Sequence, residues 1–367
     1  MITYICKQCG KTYPLSTKRY ACECGSLFHL SYPKTAPAFG SLGGDRSLWR
    51  YRSVLPPFEE KTIKRVTMGE GGTPVIRLEE HLYGKADYLM PTLSFKDRGA
   101  VMLAALMVEI GVKRCAIDSS GNAATAVAAY AARAGIATEV FVPSSTSAKK
   151  LTQIEAHGGR IHAIEGSRDE TARATINYVD KSEIFYASHI FNPFFWEGTK
   201  TYVYELYERF GSLPEVLIIP VGNGTLLMGV YLALQELKAW NLIDSHPFVI
   251  VLQAAGCAPL AQAYEQGSLS PQSVLVSPTL AEGIATGEPA RGKEILQAVH
   301  DLGGRFVTVT EEEILKAHGD LAKKGVYVEY TGAANYAGYR VALKEDPMLA
   351  DKTSLIPLTG AGLKSAH

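Results

Sequence analysis

The sequence predicts an α/β protein with mostly parallel sheets, headed by a small unit stapled through cysteines. Three observations carry this expectation. From residue 81 onward, short β-branched and apolar runs alternate with helix-patterned runs. Polar, glycine-bearing loops follow three of the expected strands. Four of the six cysteines crowd into the first 24 residues.

The 367 residues are 47% hydrophobic and 20% charged, enough for two or three domains and an ample core. Positive and negative side chains balance at 37 each, which gives no reason to expect a nucleic acid or an anionic membrane as partner. The start, Met1-Ile2-Thr3-Tyr4-Ile5-Cys6, lacks the basic and apolar regions of a signal peptide. No apolar run approaches the ~18 residues of a membrane span. A cytoplasmic protein is expected, with no membrane partner.

Residues 1–32 read as a separate unit. Cys6-Lys7-Gln8-Cys9-Gly10 and Cys22-Glu23-Cys24-Gly25 are two thiol pairs, each followed by glycine. Two such turns on facing hairpins present four thiolates in a tetrahedron, which suits structural Zn²⁺. A unit this short needs a staple. Disulfides are the alternative and fit poorly with a cytoplasmic chain. Cys6, Cys9, Cys22 and Cys24 are therefore the expected metal ligands, and Cys115 and Cys257 small buried side chains.

Residues 33–84 read as a linker or arm, marked by Pro33, Pro37, Gly40, Gly43 and Gly44 and by the glycine-dense turn 69–74. The helix-forming run Ala100–Glu109 comes next. Strands are expected at 115–118, 138–142, 160–164, 183–186, 216–220, 248–252, 305–309 and 354–357. Helices are expected at 123–134, 147–157, 169–179, 198–210, 226–240, 311–323 and 332–344.

Residues 91–99 read Pro-Thr-Leu-Ser-Phe-Lys-Asp-Arg-Gly. Lys96 stands at a loop-to-helix junction between an aromatic and an acid. A lysine crowded by other cations condenses readily with an aldehyde. A solvated charge cluster is the alternative reading. Ligands of open parallel sheets bind beyond the carboxyl ends of strands. The loops Ser119–Asn122, Gly222–Thr225 and Thr359–Gly362 stand at such ends. Gly222–Thr225 opens a helix, whose N–H groups and dipole can hold a phosphate.

Together these stretches resemble the pyridoxal-phosphate enzymes of fold type II, the tryptophan synthase β-like group, and within it the threonine synthases that carry a zinc ribbon. The resemblance rests on the four cysteines, Leu48-Trp49-Arg50-Tyr51, Gly69–Pro74, Pro91–Gly99, Ser119–Asn122, Pro220–Thr225, Glu329–Ala334 and Leu358–Lys364, in that order over essentially the whole chain. It implies two open, mostly parallel sheets with flanking helices, a zinc ribbon over 1–32, an arm over 33–84, a small mobile domain over 85–190 and a large cofactor domain over 191–367. It also implies a homodimer acting on a small amino-acid substrate. Lys96 is implied to bond the aldehyde of pyridoxal 5'-phosphate and then to serve as general base, with Phe95 beside the ring. Asn122 is implied to meet the phenolic oxygen. Gly222, Asn223, Gly224 and Thr225 are implied to hold the phosphate.

Thr359 is implied to face the pyridine nitrogen; a hydroxyl there implies a weaker electron sink than a carboxylate. Ser119 and Ser120 are implied to receive the substrate carboxylate. For a leaving phosphate the sequence offers Ser94 and Lys149, with Lys150, Arg98 and Lys200 as further cations. The chain departs from the family pattern at Met90, Leu93 and Ala123-Ala124. The implied reaction is conversion of O-phosphohomoserine and water to threonine and phosphate. The alternative is β-replacement or β-elimination on serine, threonine or O-phosphoserine. A third reading, a non-catalytic zinc-ribbon protein on an enzyme scaffold, conflicts with the intact Lys96, Asn122 and Thr359.

Overall fold

The computed structural model describes residues 2–40, 42–166, 168–182 and 184–364; the side chains of Lys149 and Asp169 lie outside the described residues. In chain order the elements are β1 (Thr3–Ile5), β2 (Thr12–Tyr13), β3 (His29–Ser31), α1 (Glu60–Val66), β4 (Val75–Arg77), β5 (Leu82–Lys85), α2 (Asp97–Glu109), β6 (Arg114–Asp118), α3 (Asn122–Arg133), β7 (Ala137–Pro143), α4 (Ala148–Ala156), β8 (Arg160–Ile164), α5 (Arg168–Ser182), β9 (Phe185–Tyr186) and α6 (Phe194–Thr199). There follow α7 (Thr201–Phe210), β10 (Val216–Pro220), α8 (Thr225–Ala239), β11 (Phe248–Ala254), α9 (Pro259–Glu265), α10 (Gly292–Asp301), β12 (Arg305–Val309), α11 (Glu311–Lys323), α12 (Tyr330–Glu345) and β13 (Ser354–Pro357). The chain divides into two compact units. One is drawn from residues up to Gly71 and from Lys96–Gly198, the other from Gly72–Phe95 and from Thr199 onward.

The first unit holds two sheets. An antiparallel one runs β2-β1-β3, and a parallel one runs β8-β7-β6-β9. The alternation of strand and helix produces the second, because parallel neighbours need a crossover between them. α2 is apolar nearly all round and is buried along most of its length, as such a helix must be. The cysteine unit docks through rings. Tyr4 stacks on Phe28 at 5.1 Å and meets Phe194 edge-on at 6.0 Å, while Tyr20 meets Tyr186 edge-on at 5.5 Å.

The second unit is built on a six-stranded sheet ordered β12-β11-β10-β13-β5-β4. All its pairs are parallel except β4 against β5. β10 is buried at every position, so its sequence, Val-Leu-Ile-Ile-Pro, is continuously apolar. Ile218, Ile250, Leu252 and Ile356 join Ala333, Ala334 and Ala337 of α12 in one core.

Two expectations change. The stretch read as irregular arm contains α1 and both strands of the β4–β5 pair. The helix expected over 198–210 is two helices, broken at Lys200.

Candidate active site

The glycine loop after β10 is shaped by two close approaches. Gly224 has φ +76°, and a Cβ there would lie 2.5 Å from Cδ1 of Ile295. A Cβ on Gly222 would lie 2.8 Å from Oγ1 of Thr286 and 3.0 Å from Cα of Ile284. Only glycine fits both positions. Gly224 is the N-cap of the 15-residue α8 and brings no side chain to cap it. A helix start with no capping side chain suits an anion, with the helix dipole behind it. Asn223 is steered by its amide, which donates to Oγ1 of Thr286 at 3.4 Å. The cradle fits a phosphate such as that of pyridoxal phosphate.

In the same unit the lysine motif's upstream half is sewn to the loop after β13. Ser94 and Gly360 form an antiparallel bridge. The N–H of Phe95 donates to the carbonyl of Thr359 at 2.9 Å, and that of Ala361 to the carbonyl of Leu93 at 3.0 Å. Leu93 adopts φ +64°, a left-handed conformation costly for a leucine. Ser94 is fully buried, and its Oγ has no hydrogen-bond partner among the described residues. Thr359 is equally buried, and its hydroxyl donates to Oε1 of Glu329 at 2.9 Å. Sequence reasoning passed over Glu329. Its only signal was its place at the head of the Glu329–Ala334 stretch.

In the first unit Lys96 is the N-cap of α2. Its Nζ stands 5.6 Å from the ring centroid of Phe195. That ring occupies the space a Cβ on Gly99 would need, at 2.2 Å, so the glycine three residues after the lysine lets the aromatic approach. Asn122 opens α3 directly after the Ser119–Gly121 turn, in which the N–H of Gly121 donates to Oγ of Ser119 at 3.3 Å. Asp118, the last residue of β6, accepts from the hydroxyl of Tyr186 at 2.6 Å, and burial pushes its carboxyl above the usual range. His189 is buried against Phe195, with rings 5.8 Å apart. Burial first, and then the charges of Lys96 and Arg168, hold its imidazole neutral.

The loop at 69–74 is held by a carboxylate. Glu70 is fully buried; its Oε1 accepts from Nε1 of Trp49 at 2.8 Å and from the hydroxyl of Thr67 at 3.0 Å. Its Oε2 accepts from the N–H of Met68 at 2.8 Å and from the hydroxyl of Tyr130 at 3.1 Å. Burial raises this carboxyl, and the donors, the Met68 N–H among them, oppose the rise.

The four N-terminal thiols converge. Cys6 and Cys24 lie 3.5 Å apart at sulfur, as do Cys9 and Cys22, and all four sulfurs fall within 4.8 Å of one another. Such a cluster of soft donors fits a tetrahedral metal ion. The hydroxyl of Tyr13 adds a contact to Cys22 Sγ at 3.3 Å.

The expected site residues therefore fall into local groups. Ser94, Phe95 and Thr359 are brought together in one unit, which also carries Gly222–Thr225. Lys96, Ser119, Ser120 and Asn122 belong to the other. Lys149 lies near the start of α4, but its side chain lies outside the described residues. Of the further cations, Lys200 is buried and its charge is met by Glu236 at 3.2 Å, and Arg98 is fully buried.

A model of the family described as pyridoxal-phosphate dependent enzyme matches residues 66–360. A threonine synthase of Methanocaldococcus jannaschii is 32% identical over 98% of this chain and 92% of its own. One of Mycobacterium leprae is 35% identical over 86% of this chain and 87% of its own. In fold the chain is similar to maize serine racemase, with TM-score 0.68 at 22% identity over 79% of this chain and 88% of that one. It is similar likewise to the processed form of threonine deaminase isoform 2 from Solanum lycopersicum, with TM-score 0.67 at 22% identity over 90% of this chain and 90% of that one.

Proposed function

The chain belongs to the pyridoxal-phosphate dependent enzymes and, within them, to the threonine synthases, and from that premise we propose that it converts O-phosphohomoserine and water to threonine and phosphate. The observation that carries this best is the uncapped glycine cradle at the head of α8, shaped for a phosphate-bearing cofactor.

When bound, pyridoxal phosphate supplies the aldehyde that captures the substrate amine and the ring that draws off electrons. The backbone N–H groups of Gly222, Asn223 and Gly224, with the Thr225 hydroxyl, would hold its phosphate. Asn122 would donate to its phenolic oxygen, Phe95 would pack beside the ring and Thr359 would face the ring nitrogen. Lys96 would hold the aldehyde until the substrate arrives. Its freed amine would then take the proton from the α carbon and move a second one at the β carbon. Ser119 and Ser120 would receive the substrate carboxylate. The buried Oγ of Ser94, without a hydrogen-bond partner among the described residues, would meet a substrate oxygen. Lys149 is assigned to the leaving phosphate on the strength of its place at the start of α4. Phosphate leaves from the γ carbon, and water adds at the β carbon.

Four cysteines would hold one structural Zn²⁺, since four thiolates leave no position open for catalysis. The enzyme would work as a cytoplasmic homodimer; among the described residues no helix is long and apolar enough to cross a membrane.

The test is parallel incubation of the purified holoenzyme with O-phosphohomoserine, O-phosphoserine, serine and threonine, with product identification. Threonine and phosphate are expected from the first alone. Ammonia from serine or threonine, with no threonine from O-phosphohomoserine, would replace this reading with β-elimination.

A further inference from the structure

Leu93 sits in a conformation and an environment that do not suit its type. Its φ is +64°. An L side chain there crowds the backbone, so the left-handed region is left mostly to glycine and, less often, asparagine. Elsewhere among the described residues the chain follows that rule: every other positive-φ position is a glycine, save Asn241. Leu93 is also 38% exposed, while Met90, Thr92, Ser94 and Phe95 around it are buried. Burial therefore does not explain a leucine at this place, and the backbone does not need one. The N–H of Leu93 donates to the carbonyl of Met90 at 2.8 Å, and its carbonyl accepts from the N–H of Ala361 at 3.0 Å. Any residue makes those bonds, and glycine makes them without strain. The side chain is kept against a conformational cost, and retained strain of this kind points to a task at a site.

The next residue says which site. Ser94 is fully buried, and its Oγ has no hydrogen-bond partner among the described residues. Its bridge to Gly360 fixes the same segment on the loop after β13. One rigid loop thus carries, side by side, a hydroxyl in want of a partner and an open apolar group. An amino acid with an oxygen at the end of a carbon chain offers a partner to each. We propose that Leu93 is a specificity-determining residue, its isobutyl group packing against the carbon chain of the substrate while Ser94 Oγ meets the substrate oxygen. O-Phosphohomoserine has one more methylene between its α carbon and its ester oxygen than O-phosphoserine has, and an apolar wall favours each methylene that it covers. The proposal rests on the reading above that Ser94 meets the substrate.

The test uses Leu93→Gly and Leu93→Ala in the holoenzyme, with alanine, 2-aminobutyrate and norvaline as probes. These amino acids lengthen the chain one carbon at a time and carry no leaving group. Each titration is read from the cofactor's absorbance. In the wild type, affinity is expected to rise by roughly fourfold for each added methylene. Both variants should lose roughly fivefold or more for norvaline and less than about twofold for alanine, a split that general damage to the site does not produce. With O-phosphohomoserine the loss should fall mainly on KM. Urea midpoints report the strain separately: Leu93→Gly should be more stable than Leu93→Ala, which keeps a left-handed side chain. An undiminished preference for norvaline in both variants would overturn the proposal, as would equal midpoints, which would mean that the leucine is held at no cost. Loss of the chain-length preference, together with no threonine from O-phosphohomoserine in the wild type, would sink the substrate reading and leave this inference standing.

Discussion

Four donors converge on the two oxygens of Glu70, two from side chains or backbone close in sequence and two from Trp49 and Tyr130. Glutamine at this position would replace one acceptor by an amide that faces two donors. Glu70→Gln is therefore expected to destabilise the first unit by about 2–3 kcal/mol, the cost of unmatched buried polar groups; urea unfolding measures it. Asp118 makes a statement about pH. Burial raises its carboxyl above the ordinary 3.8, so the folded chain holds that proton more tightly than the unfolded one. Its contribution is full in acid and is lost as pH climbs through the raised value. Asp118→Asn removes that loss. Urea midpoints of variant and wild type should coincide most closely in acid and separate in the variant's favour toward neutral pH; a gap of opposite sign would refute the burial argument. The places of Lys96, Asn122 and the Gly222–Thr225 loop at the starts of helices were legible because each is written in adjacent residues. Glu329, Glu70 and Asp118 were not, because each acquires its role from a partner far along the chain. Thr359 is 30 residues from Glu329, Tyr130 is 60 from Glu70 and Tyr186 is 68 from Asp118.

Helix ends separate binding from stability. α8 begins on a left-handed glycine with a side chain pressed behind it, whereas α11 begins on Thr310 and Glu313, which cap each other's backbone. Gly224→Ala forces a left-handed alanine, a strain of roughly 1–2 kcal/mol, onto the phosphate cradle. It should weaken cofactor binding at least fivefold in a spectroscopic titration. Thr310→Ala should cost about 1 kcal/mol of stability and leave that affinity alone. Equal loss of affinity in both variants would deny the cradle its role. Strands β6, β8, β10, β12 and β13 were legible as short apolar runs between polar loops. The β4–β5 pair was not. Each strand has four residues or fewer, β5 contains Gly84, and its place in the sheet is set by pairing with β13 at the far end of the sequence. α9 was hidden for a related reason: seven residues starting at Pro259 offer too few turns for a periodicity to show.

At the scale of the whole molecule the cysteine unit is a buttress. Besides the rings already described, His29 meets Trp196 edge-on at 5.6 Å, and the hydroxyl of Tyr32 donates to the carbonyl of Val54 at 2.9 Å. All of this reaches the segment around β9 and α6 or the arm beside it, within the first unit. Elemental analysis is expected to give one zinc per chain. A chelator that removes it should lower the urea concentration at which that unit unfolds, and an unchanged midpoint would leave the metal without a structural role. The interleaved connectivity of the two units bears on how the chain is made. A ribosome delivers β4 and β5 early, yet the central strand they join, β13, is among the last residues to emerge. The β4–β5 pair must therefore wait without its parallel neighbour through synthesis of nearly everything that follows. Neither unit can be cut out as one continuous fragment, and the chain passes from one to the other between Phe95 and Lys96. A nascent chain stalled short of residue 354 would carry Lys96 but not the strand that anchors the residues leading up to it.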